Sequence, residues 1–103
     1  MINTLVKFQV EAAKTHEFEA QHRALLQSMS GKKGCIEIVV NRSLKTPGEY
    51  VVYGTWESKE AWDRAHQTEE FRNQFQELPI QSHTLSSSSF FELAYRYNGK
   101  KAR

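Results

Sequence analysis

Apolar side chains recur at two different periods along the chain, and each change of period marks an element. From Ile2 to Glu11 the pattern alternates, with Thr4, Val6, Phe8 and Val10 on one side and Leu5, Lys7, Gln9 and Glu11 on the other. That is the signature of a half-buried strand. From His16 the spacing lengthens to three and four, so that Phe18, His22, Leu25 and Met29 form one stripe of a helix whose wet side carries Glu17, Glu19, Gln21 and Arg23. Thr15 stands where a cap is expected. The run Ser30 to Gly34 closes this helix, because glycine accepts the left-handed backbone by which a chain leaves one.

A second alternating set follows at Ile36, Ile38 and Val40, then turn material from Ser43 to Gly48, then a third strand over Glu49 to Trp56. This strand offers Tyr50, Val52, Gly54 and Trp56 to one face and Val51, Tyr53 and Thr55 to the other. Bulk on both faces predicts that both are at least partly covered. Ser58 is suited to cap a helix over 59–66 and Thr68 a second piece over 69–78, with Glu69 and Glu70 in the first turn where the helix dipole favours them. A break near Gln67 makes this one kinked or two-piece helix, and Pro79 ends it. The polar stretch 83–89 leads into a last strand over 90–97, where Phe90, Glu92, Ala94 and Arg96 alternate with Phe91, Leu93, Tyr95 and Tyr97.

The resulting order, β-α-β-β-α-β, is the α+β ferredoxin-like arrangement: a four-stranded antiparallel sheet with its helices on one face. The other face stays bare, and it carries enough apolar area that a homodimer with two sheets facing each other is the expected remedy. A chain of 103 residues has room for one such domain. Residues 1–98 are assigned to it, and 99–103 to a basic, flexible tail.

Charge and cysteine content narrow the chemistry. Fourteen Lys and Arg against twelve Asp and Glu leave a formal net charge of +2, too little to draw the chain to nucleic acid. The basic cluster at Lys100, Lys101 and Arg103 reads as a solvated end. Cys35 is the only cysteine, so no internal disulfide forms, and its setting after Gly34 predicts a structural thiol. The four histidines lack ligand spacing: His16 and His22 are six apart and His83 stands alone in a polar segment. No apolar run at the amino terminus is long enough to export or span a membrane, which points to a cytoplasmic protein with no membrane partner.

The aromatic residues gather near the third strand and the broken helix. Trp56 ends the strand, Trp62 and His66 share a helix face four residues apart, and Ala61 and Ala65 leave space beside them. His66 is the candidate base, since an imidazole near neutrality takes and returns a phenol proton. Trp56, Trp62, Phe71 and Tyr50 are the candidate substrate contacts, for a small hydrophobic or aromatic molecule. Each also has a plain structural use: Trp56 as a plug at the strand-helix junction, Trp62 and Phe71 as packing, and His66 as a hydrogen bond across the kink.

The run YVVYGTWESKEAWDRAHQTEEFRNQF at 50–75, preceded by Gly34-Cys35 and the strand IEIVV, resembles the antibiotic biosynthesis monooxygenase family. These are small dimeric α/β-barrel proteins that include cofactor-free quinol oxygenases. The likeness spans about residues 4–97 and is best at Trp56-Glu57-Ser58, Glu60-Ala61, His66, Thr68 and Phe71. It implies a dimer of facing sheets with a pocket in each subunit, and a monooxygenase of an electron-rich quinol or phenol that needs no cofactor. A non-enzymatic dimer that holds a small hydrophobic ligand is the alternative, and haem binding or degradation a further one. The tryptophan and histidine by which the haem-degrading branch acts correspond to Ala65 and Phe75 here, and its first-strand asparagine to Lys7, Phe8 or Gln9. In the aromatic-polyketide branch an asparagine, a tyrosine and an arginine correspond to Val52, Trp62 and Gln76.

Overall fold

The computed structural model describes residues 1–81 and 88–100. His83, most of the polar stretch around it, and Lys101 and Arg103 of the tail lie outside the described residues. The elements run β1 (Ile2–Gln9), α1 (Thr15–Ser30), β2 (Cys35–Arg42), β3 (Glu49–Trp56), α2 (Lys59–His66), α3 (Glu69–Gln76) and β4 (Ser89–Phe91). They form one four-stranded sheet in the order β2-β3-β1-β4, every neighbouring pair antiparallel. This is the ferredoxin-like α+β architecture that the alternation predicts.

Register fixes which side chains meet. Thr4 lies opposite Gly54, Val6 opposite Val52 and Phe8 opposite Tyr50. With Trp56 these make the face that the helices cover, while Tyr53 on the opposite face stays 48% exposed. Phe18, His22, Leu25 and Met29 of α1 and Phe71 and Phe75 of α3 close the core from above. Burial of this stripe, not helix propensity, holds the short α2 and α3 in place.

The two halves of the broken helix are capped separately. Ser58 Oγ accepts from the Ala61 N–H at 3.1 Å, and Thr68 Oγ1 accepts from the Phe71 N–H at 3.0 Å. Each cap satisfies a backbone donor that the first turn leaves open.

Several details differ from the sequence expectation. Thr15 is the first residue of α1 instead of its cap; a short 3-10 turn, Ala12–Lys14, leads in, and the Thr15 hydroxyl donates back to Ala12 O. Gly31 keeps a right-handed backbone, and the left-handed residue is Gly34, at φ 92°, where the chain turns into β2. A Cβ there would come within 2.5 Å of Ala61 Cβ, so the glycine also lets α2 seat closely on the sheet edge. A bulge between Cys35 and Glu37 takes Ile36 out of the row that Ile38 and Val40 occupy.

The last strand is the largest difference. Pairing stops at Phe91, and residues 92–100 run on without a ladder partner, with Leu93, Tyr95 and Tyr97 exposed. The alternating pattern over 90–97 is genuine, but β1 begins at Ile2, one residue beyond the Asn3 that lies opposite Phe91. A strand cannot extend past the end of its neighbour.

Candidate functional site

Under α2 and α3 the core leaves a cavity of about 60 Å³, partly open to solvent. Trp56, Trp62, His66 and Phe71, four of the five residues singled out from the sequence, border it together. Their rings touch. His66 stacks on Trp62 at 4.1 Å and 23°, meets Phe71 edge-on at 4.8 Å, and lies 5.7 Å from Trp56. The four-residue spacing on α2 produces the first of these contacts, and the break after His66 turns Phe71 back onto the same imidazole.

The histidine has a defined tautomer. Its Nδ1 lies 2.7 Å from Trp62 O. A carbonyl oxygen only accepts, so Nδ1 carries the proton and Nε2 is the basic nitrogen. Burial lowers the pKa of this imidazole, opposed by the bond to Trp62 O and by the charge of Asp63. Neutral, with one lone pair free, is the form a general base needs.

Trp56 is both wall and plug: it is 2% exposed, and its indole lies back along β3 over Gly54. A Cβ at position 54 would stand 2.7 Å from Thr4 Oγ1 and 3.1 Å from Trp56 Nε1, so only glycine fits beneath the indole. Thr4 and Gly54 therefore belong to the site, although the sequence does not single them out; a hydroxyl and a glycine on otherwise apolar strand faces are the available signal. The Thr4 hydroxyl is buried and donates to Gly54 O at 3.4 Å.

Phe90 stands edge-on to Trp62 at 4.8 Å, and Lys59 Nζ lies 4.9 Å from the centre of the Phe90 ring while bonded to Asp63 at 3.1 Å. This cation lies over the rings of Trp62 and Phe90, and of these three residues only Trp62 borders the cavity. Ala61 and Ala65 do not border the cavity; both are buried, and their small size brings α2 close to the sheet instead of leaving room for a ligand.

Tyr50 sits elsewhere. It shares the inner face of β3 with Trp56, but six residues of strand separate them by about 20 Å. Its hydroxyl donates to Glu19 at 2.6 Å, and Glu19 also receives Arg42 through Nε at 2.9 Å and through a terminal nitrogen at 3.0 Å. These bonds, Arg42 first and Tyr50 next, hold the Glu19 carboxyl down at about 2. Burial and then the bond to Glu19 raise the Tyr50 phenol.

Among the described residues no group of His, Cys, Asp and Glu is arranged to hold a metal ion, and no helix is long and apolar enough to cross a membrane. Burial raises the Cys35 thiol, as suits a structural cysteine.

Solved structures share this fold. A conserved protein from Methanosarcina mazei Go1 superposes with a TM-score of 0.77 at 22% identity, covering 87% of this chain and 89% of its own. SnoaB, a cofactor-independent oxygenase from Streptomyces nogalater, gives 0.79 at 18% identity, with 92% and 94% covered. A candidate antibiotic biosynthesis monooxygenase from Deinococcus radiodurans gives 0.80 at 13% identity, with 98% and 100% covered. No curated protein matches by sequence. The model of the antibiotic biosynthesis monooxygenase family matches residues 1–77, three quarters of the chain, and the protein therefore belongs to that family.

Proposed function

We propose that the protein is a cofactor-independent monooxygenase of an electron-rich phenol or quinol, working as a homodimer with His66 as its base. One observation carries this reading: a neutral imidazole with Nδ1 committed to a carbonyl lines an apolar cavity between two tryptophans and a phenylalanine. Nε2 takes the phenol proton, and the phenolate passes one electron to dioxygen, giving a phenoxyl radical and superoxide. These combine at a ring carbon; the peroxide then loses water as that carbon gives up its hydrogen and becomes a carbonyl. Phenol and dioxygen thus become quinone and water, and the proton on His66 returns with the departing oxygen.

Dry aromatic walls favour the step, because they exclude the water that would intercept the radical pair. The resting cavity is small beside the roughly 150 Å³ in which an engineered apolar site holds benzene. Dioxygen fits as the cavity stands, and a ring enters by displacing Trp62, the half-buried member of its wall. The dimer follows from the bare outer face, where Tyr53, Val39 and Phe91 are exposed, and from the unpaired segment beyond β4.

Oxygen uptake with a panel of hydroquinones and naphthols is the test. Wild type should consume oxygen above the rate of autoxidation, and His66→Gln should lose about a hundredfold or more of that rate. Wild-type rates equal to autoxidation across the panel would overturn the reading. They would favour the second one, a dimer that holds a small hydrophobic ligand without turnover, which the small apolar cavity also supports.

A further inference from the structure

A larger space lies beside α1, bordered by β2 and β3. It measures about 310 Å³ and shares a wall with the aromatic cavity at His22 and Leu26. Its lining is of another kind. Phe18, Leu26 and Val40 are its apolar part, while Glu19, Arg23 and Arg42 bring charge. Two guanidiniums against one carboxylate leave one positive charge unmatched, for Arg23 stands 4.0 Å from the same Glu19 that Arg42 holds. Arg42 spends two of its five N–H donors on Glu19, leaving three.

His22 is the unusual member. It is 5% exposed, stacked on Phe18 at 4.8 Å and edge-on to Phe8 at 5.7 Å, and among the described residues it has no hydrogen-bond partner. An imidazole must carry at least one N–H, and among the described residues the fully buried polar side-chain atoms without a partner are Gln21 Oε1 and Gln74 Oε1, so the His22 ring nitrogens keep access to the space beside them. Burial holds it at about 4, so the ring is neutral near pH 7 and has one donor and one acceptor to offer.

We propose that this cleft is a second small-molecule site, for a monocyclic aromatic carboxylate with a ring hydroxyl, its carboxylate on Arg42 and its hydroxyl on His22. The volume lies at the lower end of the range for small-ligand sites, which admits one ring and not a fused system. A carboxylate answers the unmatched positive charge and fits the planar donor fork of arginine. A hydroxyl supplies the imidazole with the partner it lacks. The ring lies along Leu26 and Val40, the apolar lining residues that keep accessible surface.

The site is separate from the proposed chemistry at His66, and its test uses binding alone. Imidazole resonances of nitrogen-15-labelled protein are followed while 4-hydroxybenzoate is added to about 10 mM, a range that registers even weak complexes. His22 should shift and saturate. The neutral analogue, 4-hydroxybenzyl alcohol, and the variant Arg42→Met should each weaken binding by about tenfold or more. His22→Leu should weaken 4-hydroxybenzoate, followed through the backbone amides of α1, while leaving benzoate unchanged. Absence of a saturable shift would overturn the proposal, as would equal affinity for the acid and the alcohol. So would a His22→Leu variant that weakens 4-hydroxybenzoate and benzoate alike.

Discussion

Two histidines border the same cavity, His22 from α1 and His66 from α2, and their surroundings differ in kind. His66 sits among tryptophans with its Nδ1 answered by a backbone carbonyl four residues back, so its tautomer is settled by its own helix. His22 sits between Phe8 and Phe18 with no hydrogen-bond partner among the described residues, next to a cleft lined by arginines and a glutamate. In the proposed reading the first serves as a base, and the second takes its partner from a bound ligand. Burial lowers the pKa of both, so proximity to apolar rings alone does not distinguish a poised base from an empty partner site.

The contrast extends to what each region does for the fold. The aromatic cavity is made from the core, and removing its walls removes core. Trp56→Ala should destabilise the protein by about 3–5 kcal/mol, measured by urea unfolding. A loss below about 1 kcal/mol would mean that the indole is held by the site and not by the core.

Acid should act next, through His22. Its folded pKa of about 4 lies below the ordinary value of 6.5, so the unfolded chain binds a proton that the folded one refuses. Stability is full above pH 6.5 and falls as the pH drops toward 4, by an amount on the order of 3 kcal/mol from this residue. His66 contributes in the same direction, whereas Glu19 adds its loss lower, between 4.5 and about 2. Unfolding curves of wild type and His22→Leu at pH 7 and pH 4.5 separate the parts: the variant should show a shallower decline. Parallel declines would mean that water reaches the imidazole freely.

The smallest effect belongs to the cleft. Arg42 is exposed, and its ion pair with Glu19 lies at the surface, so Arg42→Met should leave the unfolding midpoint where it is. A clear drop would show that the cleft, like the cavity, is part of the scaffold.

Much of the site can be read in the sequence, for local reasons. Ser58 and Thr68 mark the starts of α2 and α3 because a cap needs only its own first turn. Trp62 and His66 meet because four residues make one helical turn, and Trp56 joins them because β3 runs directly into α2. What fails is what depends on distance or on a neighbour. Tyr50 shares a face with Trp56 yet lies far along the strand, where it answers Glu19 instead of the cavity. Ala61 and Ala65 look like room and turn out to be close approach, since a small residue leaves a void only if the opposing surface stays away. His22 falls in the apolar stripe of α1, as its spacing requires, but nothing in that spacing tells whether a partner waits across the core.

The unpaired stretch after β4 has a thermodynamic meaning of its own. Residues 92–100 set Leu93, Tyr95 and Tyr97 in water at the margin of a sheet face that is itself uncovered. In the proposed homodimer these side chains join the folded structure only when a second copy arrives, which makes the assembly equilibrium part of the folding equilibrium. Dilution then acts on this protein as a mild denaturant does, lowering the melting midpoint without altering one contact inside the subunit.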